Sequence, residues 1–154
     1  MIQEAKNILQ QELEDLKKRI IANHEHAGQV ASGRTRASLR VETSDEGGVL
    51  WGRSPFGTLE TGRKPGKVPK GFYHIILQWV KDKGIKVDNP KTFSYFVSRK
   101  IAREGTELFR SGGRADIYSN EIPVTIENIG NRMVVLIGIE VEHINLNSNE
   151  TNSI

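Results

Sequence analysis

Ile2, Ala5, Ile8, Leu9, Leu13, Leu16, Ile20 and Ile21 recur at three- and four-residue steps, and no other feature restricts the fold of this chain as much. The spacing predicts a helix over residues 2–23 with a single apolar stripe. Glu14 and Asp15 precede Lys18 and Arg19 by four residues, the favourable order for ion pairs on an exposed helix face. The stripe has to be covered. It packs against the chain's own sheet or against a neighbouring subunit, and periodicity alone does not separate the two.

The period then changes. Leu39, Val41 and Thr43 alternate with Arg40, Glu42 and Ser44, the pattern of a half-buried strand. Asp45, Glu46, Gly47 and Gly48 form a turn, and residues 49–53 return as a second strand carrying Trp51, so a hairpin is expected. A short helical turn is expected just before it, over 35–39. Residues 72–83 form a helix with Ile75, Ile76, Trp79 and Val80 inward, ended by Gly84. Asn89 and Pro90 open another, with Phe93, Phe96, Val97 and Ile101 on its inner side. Residues 119–131 fit a helix through Ile122, Ile126 and Ile129, or a strand through Ile122, Val124 and Ile126. Ser119 as N-cap and Pro123 in the first turn tip the reading toward helix. Over 132–144, Met133, Val135, Ile137, Ile139 and Val141 alternate in strand fashion. The expected class is therefore α+β: a long N-terminal helix, a small, mostly antiparallel sheet with a hairpin and a long protruding loop, and two to three packed helices.

The length of 154 residues suits one domain, placed at 1–144, with a polar extension over 145–154. That extension is rich in Asn, Ser and Thr and should order only against another chain, which makes Asn145 and Asn147 candidate subunit contacts. The chain has no cysteine, which removes disulfides, thiolate catalysis and cysteine-based zinc sites. The first 20 residues are too charged for a signal peptide or a spanning helix, and no uninterrupted apolar run reaches the roughly 20 residues of a crossing. A soluble protein without a membrane partner is expected.

No catalytic constellation emerges. His24 and His26 stand two apart, so they do not share a helix face, and no third ligand has matching spacing. His74 and His143 are isolated. The segment from Gly52 to Gly57 lacks the Gly-Lys-Ser/Thr ending of a phosphate loop. No enzymatic activity, metal or cofactor is expected.

The unabsorbed feature is residues 58–71, TLETGRKPGKVPKG, a stretch dominated by glycine, proline and lysine. A loop so polar adds little to a core, and long loops in compact domains commonly carry function. Arg63, Lys64, Lys67 and Lys70, with Glu60 at its start, are the candidate subunit-interaction residues. Arg34, Arg36, Arg40 and Arg53 add to the positive charge before Gly71. The net charge of +3 is too small, and too evenly mixed, to make nucleic acid the main expected partner. A nucleic-acid-binding module remains the alternative, although no stacking aromatics interleave with the loop cations.

Three segments bear a likeness to a known family. They are Ser32-Gly33-Arg34-Thr35-Arg36-Ala37-Ser38-Leu39, Thr58-Leu59-Glu60-Thr61-Gly62 and Lys100-Ile101-Ala102-Arg103-Glu104-Gly105-Thr106. In this order, between Ile2 and Thr106, they resemble the minor tail and tail-completion proteins of tailed double-stranded DNA phages. In that family a long helix precedes a glycine-led segment, a hairpin, a short motif, a protruding loop and a helix. This chain departs in having Leu59-Glu60-Thr61-Gly62 where the family tends to an aromatic before Gly-Thr, and in its long region after Glu107. The resemblance implies a virion protein at the neck or tail, made in the host bacterial cytoplasm. It implies a homo-oligomeric ring joining head to tail, other neck and tail proteins as partners, and non-specific contact with DNA in the lumen. It implies no catalytic residues.

Overall fold

The structure is a computed structural model that describes the backbone of residues 1–151 and the side chains of residues 1–143. It is α+β, mostly helical, with a long N-terminal helix and one two-stranded antiparallel sheet among the described residues. Helix α1 spans Ile2–His26 and buries Ile8, Leu13, Leu16 and Ile20, the predicted stripe. The one-turn helix α2, Arg34–Ala37, leads into β1, Arg40–Thr43, and β2, Gly48–Trp51. The strands pair Arg40 with Trp51 and Thr43 with Gly48. Val41 and Thr43 face inward, as the alternation requires. Gly48 lies against the Leu13 side chain, so any Cβ there would collide with α1. The hairpin is thus seated directly on the first helix.

A 3-10 turn, Ser54–Gly57, runs into the one-turn helix α3, Thr58–Thr61. Helices α4, Phe72–Asp82, and α5, Pro90–Glu104, pack side by side and bury Ile76, Val80, Ser94 and Ser98. The predicted caps are present. Asn89 Oδ1 accepts the Thr92 N–H at 3.0 Å, and Gly84 takes the left-handed conformation that stops α4. The short α6, Glu107–Arg110, is capped by Thr106.

The last helix, α7, spans Glu121–Thr151 and corrects two expectations. Residues 132–144 are not a strand, and the helix continues past residue 144 rather than giving way to an irregular extension. The cause is α1. Arg19 reaches Glu121 at 2.7 Å and Thr125 at 2.6 Å, and Arg132 reaches Glu12 at 2.9 Å and Gln11 at 2.6 Å. These partners recur at helical spacing on α7, which runs antiparallel to α1. The expected i, i+4 ion pairs of α1 are not the ones formed: Arg19 pairs with Glu121, and Lys17 and Lys18 pair three residues back, with Glu14 and Asp15. The main core is Leu13, Leu16, Ile20, Leu39 and Ile117, flanked by Val41, Leu50, Phe56, Leu59 and Tyr118. The α1 stripe at Leu13, Leu16 and Ile20 is therefore covered by the chain's own hairpin and by the turn before α7, whereas Ile2 at its start is exposed.

Candidate interaction surfaces

Residues 58–71 are only partly a protruding loop. Thr58–Thr61 is helical, and Glu60 is turned inward with 3% of its surface exposed. Its Oε1 accepts the backbone N–H groups of Ile117 at 3.0 Å, Tyr118 at 2.6 Å and Ser119 at 2.9 Å. Its Oε2 accepts the Ser119 hydroxyl. Burial opposes ionisation of this carboxyl, but the bonds from Ser119, Tyr118 and Ile117 together hold it below the usual carboxylate range. Glu60, expected as a subunit contact, is instead an internal clasp that fixes the turn entering α7.

The next residues are anchored as well. Arg63 N–H donates to Thr106 Oγ1 at 2.9 Å, and Thr106 N–H returns a bond to Arg63 O at 2.9 Å. Gly66 N–H donates to Ala102 O at 2.9 Å. Gly62 comes so close to α6 that a Cβ would sit 2.5 Å from the Phe109 nitrogen. Arg63 folds back: its guanidinium lies over the Phe72 ring at 5.3 Å and donates to Lys67 O at 2.9 Å. Of the four expected cations, Arg63 is a staple of the loop. Lys64, Lys67 and Lys70 project into solvent without an ion pair among the described residues.

Chain folding places aromatic groups beside the end of the loop, at Val68, Pro69 and Gly71. A cleft of about 710 Å³ lies between the loop and α5, lined by Val68, Tyr73, His74, Tyr95, Arg99 and Arg103 among others. Arg99 lies 5.7 Å from the Tyr95 ring centroid. Sequence order hid this, because Tyr95, Arg99 and Arg103 are spaced by four on a helix about 30 residues beyond the loop.

A second hollow, of about 580 Å³, lies between α4, α5 and α6. Phe72, Ile75, Trp79, Val97, Ile101 and Leu108 make its walls, with Arg63, Lys100, Arg110 and Glu107 around them. Ile75 and Trp79 were expected inward; both are exposed here, on the open side of α4.

Among the described residues, α7 carries a further exposed apolar surface. Ile122, Val124, Ile126, Val134, Val135, Ile137, Ile139 and Val141 are all exposed, Val134 by 70%. The segment Glu121–His143 has a mean hydropathy of 1.3 and is, by length and composition, capable of crossing a membrane, which the sequence reading did not anticipate. Its α1 side is polar, however, and tied down by Glu12, Arg19 and Asn23. Asn145 and Asn147 belong to the backbone of α7, and their side chains lie outside the described residues.

His24 is buried, and burial lowers its pKa. His26, His74 and His143 are exposed and separate. Among the described residues, no group of three or more histidine, aspartate or glutamate side chains could hold a metal ion. No family model, curated protein or solved structure matches the chain.

Proposed function

We propose that this chain is a ring-forming structural subunit at the head–tail junction of a tailed double-stranded DNA phage, a connector or tail-completion protein that performs no chemistry. The supporting observation is α7, whose exposed apolar side chains, Val134, Ile137 and Val141 among them, are left uncovered by the described residues. Contiguous exposed apolar surface marks contact with another macromolecule. In a protein that binds its own copies, such a face becomes buried on assembly.

The resemblance supplies the particular assembly. Two of the segments that carry it, Thr58 to Gly62 and Lys100 to Thr106, meet through Gly62 and Thr106 and are extended by the Arg63–Thr106 bonds. Lys64, Lys67 and Lys70 are offered to an acidic neighbour, or to DNA passing through the lumen. Neck and tail proteins are the further partners, and the finished particle is the location. The test is particle formation in a phage carrying Lys64→Glu, Lys67→Glu and Lys70→Glu together. Defective head–tail joining with normally folded protein supports the reading. Normal particles remove the loop from it.

One observation favours a second reading, a nucleic-acid-binding module. The cleft beside the loop juxtaposes Tyr73 and Tyr95 with Arg99 and Arg103, a combination that can stack bases and track phosphates. A filter-binding titration decides it. Retention of DNA that falls steeply with salt supports the module, and absence of salt-sensitive retention excludes it.

A further inference from the structure

We propose that the outer face of α7 in one copy seats in the hollow between α4 and α5 of the next copy, a head-to-tail contact repeated around the assembly. This rests on the ring reading above and specifies its interface. Among the described residues, two apolar surfaces are left unfilled. One is concave, walled by Ile75, Trp79, Val97 and Ile101. The other is a convex helix face on which Val134, Ile137 and Val141 stand at i, i+3 and i+7, the spacing with which a helix fills a groove. Gly138 lies among them with open space where a Cβ would be, so the helix backbone can come close.

Charge chooses the occupant. The groove lining holds Arg63, Lys100, Arg110 and Glu107; Arg110 is paired with Glu104 and Glu107, which leaves Arg63 and Lys100 as cations without an ion pair among the described residues. The described part of α7 holds Glu121, Glu127, Glu140 and Glu142 against Arg132. Glu121 and Arg132 are engaged with α1, which leaves Glu127 and Glu142 exposed on the outer helix. Two α7 faces brought together would oppose acid to acid, and two grooves would oppose base to base. Helix against groove opposes acid to base. A contact between two different patches of identical subunits is heterologous, and it closes a ring when its rotation closes.

A lipid surface is the poorer occupant. The same helix is bonded along its other side to Gln11, Glu12 and Arg19 of the charged α1. Immersing α7 would carry these groups toward hydrocarbon or break their bonds to α7.

The test uses the full chain with Ile75→Glu in the groove or Val134→Glu on the helix, both at exposed positions. Light scattering and native mass spectrometry read the mass, and circular dichroism checks the fold. Each variant should be monomeric. An equimolar mixture should form a one-to-one heterodimer, because one copy retains its helix and the other its groove. Should a glutamate variant lose helical signal, Ile75→Gln or Val134→Gln replaces it, with weaker association expected. An oligomeric wild type whose Ile75→Glu variant is still oligomeric overturns this interface while leaving the ring reading standing. Two monomeric variants that fail to pair also overturn it. So does sedimentation with phosphatidylglycerol-containing vesicles that Val134→Glu abolishes and Ile75→Glu does not. A wild type monomeric at every concentration removes both the interface and the ring.

Discussion

Glu60 on the one-turn helix α3 accepts the backbone N–H of Tyr118 at 2.6 Å, 58 residues away, at the entrance to α7. The flanking N–H groups of Ile117 and Ser119 converge on the same oxygen. Three amides aimed at one buried carboxylate form a compact anion site that the chain fills with its own side chain. The start of the basic loop and the start of the exposed helix are therefore held by one group. It acts beside the Arg63–Thr106 bonds that anchor the loop and the Arg19–Glu121 and Arg132–Glu12 bonds that seat α7 on α1.

Glu60→Ala should lower stability by about 2–4 kcal/mol, because it strands buried amide donors. At about 2–4 °C per kcal/mol for a chain of this size, the melting temperature should fall by roughly 5–15 °C. The folded carboxyl titrates below its unfolded value of about 4.3. Its contribution is thus complete above that value and is lost as pH falls through the lower, folded one. Glu60→Gln should flatten stability against acid below about pH 4.5 in urea titrations, by the same linkage. A wild-type acid profile in Glu60→Gln would remove the clasp from the account.

Gly62 and Gly84 have the same φ of +68°, but only Gly62 is crowded. An added Cβ at Gly62 would meet the Phe109 nitrogen and Thr106 Oγ1 at 2.5 Å, whereas at Gly84 nothing lies within 4 Å. Gly84→Ala should cost about 1 kcal/mol, the strain of a left-handed alanine. Gly62→Ala should cost at least about 2 kcal/mol more, because φ +68° with ψ −173° is a backbone conformation open essentially to glycine alone and the added Cβ also overpacks against α6. Equal losses in thermal unfolding would mean that the approach of the loop to α6 is not tight.

The Arg132–Glu12 pair sets the register of α7 on α1. Arg132→Met should destabilise by about 2–3 kcal/mol, because Glu12 is buried and loses its countercharge. Adding Glu12→Met should return most of that, since an apolar pair of similar shape has no charge to desolvate. A double-mutant cycle in denaturant with no coupling would contradict this role.

Lys64, Lys67 and Lys70 stand in solvent, so changing all three to glutamate should move the melting temperature by less than about 2 °C, as surface substitutions do. Removing residues 63–70 would be different. It deletes both Arg63–Thr106 bonds and the Gly66–Ala102 bond, and should unfold the α5–α6 junction. Thermal scans of the two variants distinguish exposed contact residues from structural ones.

Local signals made the first half of the fold legible. The Ile8-to-Ile20 stripe, the Leu39-to-Thr43 alternation and the Asn89-Pro90 cap each have one reading. The region from Met133 to Val141 does not. Nearly every residue there is apolar, so strand and helix periods fit equally, and β-branched valine and isoleucine favoured the strand. The deciding information lay in polar residues. Glu121, Thr125 and Arg132 recur at helical spacing and meet Arg19 and Glu12. The candidate site divided in the same way. Lys64, Lys67 and Lys70 could be read as solvent-facing charges, but Glu60 gave no sign of burial, because its partners are backbone amides that no side-chain pattern reveals.

The most direct test of the central claim is the mass of the purified full-length chain by native mass spectrometry near neutral pH. The account predicts one closed oligomer of fixed copy number that persists on dilution, because each copy buries the apolar face of α7 against another. A single monomeric mass across the whole concentration range would contradict it.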